Sequence, residues 1–353
     1  MRVDQFLPHL GRDDAIGNHV LRIQRVLKEH FGTSDIYVGS ADAALRRLVK
    51  PYRSFDAKNG SAVIYHASIG TPVAYYLMKL QSPLIVDYHN VTPMRFFAKY
   101  EPRIAAQLFA GRVECGLFAR KAALGLADSQ YSTRELDSMG YAKTATIPIL
   151  IDFSRYEQAP DGKLLRELAG SKKGTDILFV GRLSPNKRQE DLIKTFALYR
   201  RHFNPGARLF LVGPASSARY RDSLLAFVRR LAIEDVVFAG AVPFAHLLAY
   251  YRTADVYLSL SEHEGFCVPL LEAMSLHLPV IAFDAAAVPE TLGEAGVLIR
   301  EKNYEEIAAL IDLVCRSDEL RGRLVRAGQQ RVDHYRPEPH EQRFVELLES
   351  VLL

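Results

Sequence analysis

The chain has 353 residues, 48% of them hydrophobic and 24% charged, the ordinary mixture of a globular protein. This length suits two domains better than one, each able to bury a core without disulfides or metal, and it excludes disorder, collagen and coiled coil. Lys and Arg number 45 against 41 Asp and Glu, a net charge of +4. That excess is too scattered for the basic stripe of a nucleic-acid binder, and suits an anionic small molecule or an anionic membrane face equally well.

Cys115, Cys267 and Cys315 are far apart and form no C-x-x-C pair, so they read as free thiols of a reducing compartment. The N-terminal stretch MRVDQFLPHLGRDD lacks the apolar run of a secretory signal. The longest apolar stretch, 236–251, is broken by Gly240, Pro243 and His246 and is too short to span a bilayer. A cytoplasmic protein is expected, with peripheral contact at the inner membrane face left open.

In chain order, Gly17 opens an amphipathic helix in AIGNHVLRIQRVL, where a missing side chain allows backbone to approach a phosphate. Apolar runs at 62–66, 84–88, 123–127 and 144–147 predict strands alternating with helices. PLIVDYHNVTP places Asp87, His89 and Asn90 just beyond a strand, and ALGLADSQYS places Asp128 and Ser129 likewise. The polar, turn-rich segment 157–174 marks a boundary. The pattern restarts with strands at 176–180, 208–212, 236–239, 256–260 and 280–283. Such runs read as parallel strands covered on both faces. The expected architecture is α/β: two doubly wound, Rossmann-like domains, 1–160 and 161–336. A final amphipathic helix in 337–353 (Phe344, Leu347, Leu348, Val351) is expected to pack back across the junction.

Ligands of open α/β sheets bind beyond the carboxyl ends of the strands. In FVGRLSPNKRQEDLI, Ser184 is a good N-cap and Pro185 suits the first helical position. Lys187 and Arg188 then fall in the first turn, where cations are disfavoured unless an anion meets them. Arg182 lies at the same edge, and these cations suit a diphosphate. Offset by Glu190 and Asp191 on a solvated face is an equal reading. In VYLSLSEHEGFCVPLLEAM, Glu264 precedes a helix expected over 269–276 and Glu272 lies within it. The two are about two turns and 80° apart on a helix, too far for one carboxylate pair, so a glycosidase site is a poor reading. They suit opposite ends of one elongated ligand whose anion sits at the helix N-terminus between them; two surface glutamates are the plainer alternative. No G-x-G-x-x-G, Walker lysine, H-E-x-x-H or G-x-S-x-G motif is present.

The succession GRLSPNKRQEDLI, LFLVG, VVFAGAVP, ADVYLSLSEHEGFCVPLLEAM, LPVIAF and AAVPETLGEAGVLI resembles the second domain of glycosyltransferase family 4. These are retaining enzymes of the glycosyltransferase-B fold, whose two domains face each other across a cleft. The likeness covers roughly 175–300; the first domain matches more loosely, through Gly17, DYHN and ADSQYS. The resemblance implies that Arg182 and Lys187 bind a donor pyrophosphate and that Glu264 faces the donor sugar. It further implies that Glu272 holds the ribose hydroxyls and that Val242 lies beside the base. Backbone groups of Gly265, Phe266 and Cys267 would contact sugar hydroxyls, His89 would contact the donor sugar, and Gly17 would lie near the phosphates. Cys267 stands where the family more often has glycine. Beside a helix start and two cations, it is expected to be the most reactive of the three thiols.

The implied reaction moves a hexosyl group from a UDP- or GDP-sugar, UDP-glucose favoured, to a hydroxyl acceptor with retention. The acceptor would be a glycan, a lipid-linked glycan or a small molecule, in polysaccharide or glycoconjugate biosynthesis. Neither metal nor other cofactor is expected, since the cations and helix end stabilise the leaving diphosphate. The alternatives are a sugar-nucleotide epimerase of the same fold, a non-catalytic sugar-nucleotide-binding subunit, and a periplasmic sugar-binding protein, against which the missing signal counts.

Overall fold

The computed structural model describes residues 2–11, 14–57 and 61–352. It comprises two compact units, one of residues 1–152 with 335–353 and one of residues 153–334. In the first, β1 (Arg2–Leu10), β2 (Ile36–Ala41), β3 (Lys50–Pro51), β4 (Ser61–Ala67), β5 (Leu84–Tyr88), β6 (Leu124–Ala127) and β7 (Thr144–Thr146) alternate with α1 (Ala15–Phe31), α2 (Pro72–Lys79), α3 (Pro102–Phe118) and α4 (Gln130–Ser138). The strands form one parallel sheet in the order β3-β2-β1-β4-β5-β6-β7.

The second unit opens with α5 (Gly162–Gly170) and β8 (Asp176–Val180), then α6 (Gln189–His202), β9 (Arg208–Val212), α7 (Ala218–Leu231) and β10 (Val236–Gly240). It continues through α8 (Phe244–Thr253), β11 (Val256–Ser259), α9 (Val268–Ser275), β12 (Val280–Phe283), α10 (Val288–Leu292), β13 (Val297–Ile299), α11 (Tyr304–Arg316) and α12 (Asp318–His334). The parallel order β10-β9-β8-β11-β12-β13 is that of a dinucleotide-binding sheet, with its reversal between β8 and β11. In the first unit the reversal lies between β1 and β4. Both units are Rossmann-like α/β domains.

The division falls at 152/153, not at 160/161. Tyr156 stacks edge-on to Phe244 (centroids 5.6 Å apart) and donates to Glu272 Oε1 at 2.7 Å, which ties the start of the connecting segment to the second unit. The chain returns to the first unit at Tyr335, and α13 (Pro337–Leu352) supplies Phe344, Val345 and Leu348 to a core shared with Val3, Ile23, Leu27 and Ile64. Arg22 Nε donates to Glu341 at 2.5 Å across the same packing. Among the described residues, no helix is long and apolar enough to cross a membrane.

Candidate active site

The second unit's candidate residues gather at its β8–β11 switch point. The loop after β8 does not run directly into a helix. Pro185–Lys187 form a 3₁₀ turn, Arg188 adopts a left-handed conformation (φ 54°), and α6 starts at Gln189. Ser184 therefore does not cap the helix; its hydroxyl donates to Asn186 Oδ1 at 2.9 Å. This loop is stitched to the one after β11, since Glu262 N–H donates to Asn186 O (2.8 Å) and Asn186 Nδ2 to His263 O (3.1 Å). The stitching brings Lys187 Nζ onto Glu264 Oε2 as an ion pair, with the Glu264 side chain 6% exposed. The pair closes a contact that the sequence spacing alone did not show.

Arg182 is exposed at the same strand end, its carbonyl held by Gln189 Nε2 at 3.0 Å. Gly213, at the end of β9, is required by close approach: a Cβ there would lie 2.1 Å from the Gly181 carbonyl oxygen. Arg188 is not available to a diphosphate. It pairs with Glu190 (2.9 Å), Asp191 (3.0 Å) and Glu262 (3.2 Å). Lys302, which no sequence motif singled out, bridges Asp191 and Glu262 at 2.8 and 2.9 Å. Burial pushes the Asp191 carboxyl up, but Lys302, Tyr304 and Lys194 bring it down to about 2.

Gly265 and Phe266 lead into α9, and Phe266 O accepts from Thr291 Oγ1 at 2.5 Å. Cys267 caps that helix in a left-handed conformation, φ 71°, a geometry that favours glycine. Its thiol is buried, and burial together with the Glu264 charge pushes it well above the ordinary range despite Lys187. The expected reactive thiolate is thus overturned: dehydration of the sulfur outweighs the nearby cation. Glu272 lies within α9 and accepts Tyr156 and Tyr251 hydroxyls on its two oxygens, each at 2.7 Å. Burial raises its carboxyl against those two donors. Val242 is partly buried in the loop between β10 and α8.

Gly17 and His89 belong to the first unit. A Cβ on Gly17 would lie 2.6 Å from the Gly11 carbonyl oxygen, and the Gly17 N–H is taken by Asp14 Oδ2 at 3.2 Å. The glycine therefore permits tight passage of the β1–α1 connection. His89 follows β5, its side chain 1% exposed, with Asn90 after it in the left-handed region (φ 53°). Its Nδ1 faces the Asp128 carboxylate at 3.0–3.1 Å and its Nε2 faces His66 Nδ1 at 3.0 Å. Gln5, His19 and His66 complete this buried cluster and were missed from sequence. His66 sat at the end of the expected 62–66 strand, the position at which a polar residue of this fold is informative.

Residues 163–331 match the family model described as glycosyl transferases group 1. The match takes in just under half of the chain and nearly all of the second unit. A D-inositol 3-phosphate glycosyltransferase of Actinosynnema mirum is 30% identical over 190 residues, covering 51% of this chain and 45% of that protein. An O-antigen chain mannosyltransferase B of Escherichia coli is 30% identical over 139 residues, covering 38% and 35%. The matches span less than half the length of these curated relatives. Anabaena HepE, whose crystal structure was solved in complex with UDP and glucose, is 20% identical with a TM-score of 0.75, covering 99% of both chains. That likeness gives this chain its fold, glycosyltransferase-B.

Proposed function

We propose that this chain transfers a hexosyl group from a nucleotide-diphosphate sugar, with UDP-glucose the favoured donor, to a hydroxyl acceptor, retaining the anomeric configuration. The observation that carries the reading is the Lys187–Glu264 ion pair, with exposed Arg182, at the switch point of a group 1 domain. A lysine ammonium has three donors; one serves Glu264 and two are left for phosphate oxygens. In the transfer, the bond from C1 to the diphosphate breaks and the acceptor oxygen bonds C1 from the same face. The acceptor's proton passes to the departing phosphate oxygen. Charge grows on the diphosphate, where Lys187 and Arg182 stabilise it without a divalent cation. UDP as the nucleotide is supported by the HepE complex, and a role in polysaccharide or glycoconjugate synthesis by the name of the Escherichia coli relative.

The test is incubation with UDP-glucose and a panel of hydroxyl acceptors in the presence of EDTA, followed by proton NMR of the anomeric signal. UDP release with an α-linked product is expected. Conversion of the donor to an epimer without acceptor would establish the epimerase alternative, and an unchanged donor would leave a binding subunit.

Peripheral contact with an anionic membrane face belongs to the same reading. Phe109, Val113 and Leu117, 58%, 47% and 57% exposed, lie on successive turns along the outer side of α3. Arg95, Lys99, Arg103 and Arg120, in the same stretch of chain, are exposed, and the sole acid of α3, Glu114, is buried. An apolar stripe bordered by cations fits a bilayer interface carrying anionic lipid.

A further inference from the structure

Around the β1–β4 switch point, Gln5, His19, His66, Asp87, His89 and Asp128 are all buried. Their neighbours fix where the protons sit. Gln5 Nε2 donates to Val20 O at 3.2 Å, so the amide oxygen is the atom that faces His66 Nε2 at 2.9 Å. His66 therefore carries a proton on Nε2, and its Nδ1 faces Asp87 Oδ2 at 3.0 Å as well as His89. Leu150 N–H donates to His19 Nδ1 at 2.9 Å, leaving the His19 proton on Nε2, 3.4 Å from Asp87 Oδ2.

His66 Nδ1 and His89 Nε2 are 3.0 Å apart, in rings inclined by only 5° with centroids 5.3 Å apart. The centroid separation is close to the N···N distance plus two ring radii, so both nitrogens point along nearly one line. Asp87 Oδ2 stands beside that line, 3.0 Å from His66 Nδ1 and 3.5 Å from His89 Nε2. A proton on His89 Nε2 sits on the line itself. With Nδ1 against the Asp128 carboxylate, the His89–Asp128 pair holds one proton more than a neutral imidazole beside a carboxylate.

We propose that His66 is a positioning residue for the transfer reaction: it accepts the His89 Nε2 proton in line, and with Asp128 it holds the His89 ring fixed and doubly protonated. The inference rests on the glycosyl-transfer reading for its reaction. A charge locked in this way at the ligand-binding end of β5 needs no reorganisation when substrate charge develops. The groups facing His89 are Asp14 and His19 from α1, His66 from β4, Asp87 from β5 and Asp128 beyond β6. Burial pushes His89 down, but Asp128 and Asp87 outweigh it and hold the ring at about 9. Burial takes His66 down to about 4 despite Asp87, consistent with its role as the acceptor.

The experiment compares the full-length chain with His66→Leu, which removes the acceptor, and His66→Gln, which keeps an acceptor oxygen. Ring ¹⁵N spectra should show His89 as imidazolium at neutral pH, losing its proton near the alkaline value. In His66→Leu that step should move down by about one unit or more, and in His66→Gln by less. With UDP-glucose, His66→Leu should lose roughly tenfold or more in kcat with little change in donor KM, and its alkaline limb should move with the nitrogen titration; His66→Gln should recover most of the rate. The melting transition of the first unit, which holds His66, serves as the folding control. A neutral His89 in the wild type at neutral pH overturns the proposal, as does a His66→Leu chain with wild-type rate and titration. A wild-type chain that turns over no nucleotide sugar overturns the transfer reading instead, and the nitrogen spectra still decide the proton arrangement.

Discussion

Lys187 and Arg182 are expected to fail differently when removed, because Lys187 is the counter-ion of a buried carboxylate. Each should weaken UDP binding in magnesium-free buffer by the worth of a charge-assisted hydrogen bond, roughly 1.5–3 kcal/mol. Lys187→Ala also strands the 6%-exposed Glu264 carboxylate without its cation, which costs stability beyond the lost ligand contact. Isothermal titration with UDP and a thermal melt separate the two: both variants weaken binding, and Lys187→Ala melts measurably lower than Arg182→Ala. Equal UDP affinity in the double variant would show that the diphosphate lies elsewhere. The glutamates should also divide. If Glu264 meets developing charge, Glu264→Gln lowers kcat more than it raises KM, whereas Glu272→Gln, removing a group bound alike in ground and transition states, chiefly raises KM; identical steady-state profiles would undo the division. At Cys267 two terms oppose. Cys267→Gly relieves the left-handed backbone at φ 71°, worth about 1 kcal/mol, and gives up a buried sulfur, so the melting temperature should change little. The thiol itself should be the slow one. Alkylation and peptide mapping of the native chain should label Cys315, partly exposed, ahead of buried Cys115 and Cys267.

At the scale of elements, the strands legible in sequence were those whose apolar runs are unbroken: β5, β8, β9 and β12 coincide with the expected segments 84–88, 176–180, 208–212 and 280–283. β1 escaped notice although it is central to its sheet. Its sequence RVDQFLPHL holds Asp4 and Gln5, both fully buried. Burial is tolerated because Asp4 accepts from Arg2 Nε (2.6 Å) and Asp35 N–H (2.8 Å), and Gln5 binds His66, partners that only the folded sheet supplies. The same reason hid half of the candidate site. Residues just after a strand were found by position, whereas His19 and His66 become informative only when separate elements meet. The α3 stripe was invisible too, because an apolar helix reads as buried whichever face is covered. It now makes a prediction. Phe109→Ser with Leu117→Ser should abolish co-sedimentation with vesicles rich in anionic lipid and leave UDP binding unchanged, and binding to neutral vesicles should be weak in every form. Unaltered sedimentation by the double variant would remove α3 from the membrane reading.

At the scale of the whole molecule, chain order and structural order disagree, and that has a mechanical consequence. The second unit is one continuous stretch, 153–334, whereas the first is assembled from 1–152 and the terminal 335–353. α13 contributes Phe344, Val345 and Leu348, exposed by 0%, 6% and 0%, to the first unit's core, and Glu341 to Arg22. Burying a side chain of this kind contributes roughly 1.5–3 kcal/mol, so three of them approach the whole net stability of an ordinary domain, about 5–15 kcal/mol. Truncation after 334 should therefore unfold or strongly destabilise the first unit and spare the second. In differential scanning calorimetry the truncated chain is expected to lose or lower one transition while the other keeps its temperature, and UDP should still raise the surviving one by mass action. The isolated segment 153–334 should bind UDP through Arg182 and Lys187 with its affinity largely preserved. If truncation lowers both transitions together, the two units do not unfold independently. If the isolated segment folds but binds no UDP, the donor phosphates depend on residues of the first unit.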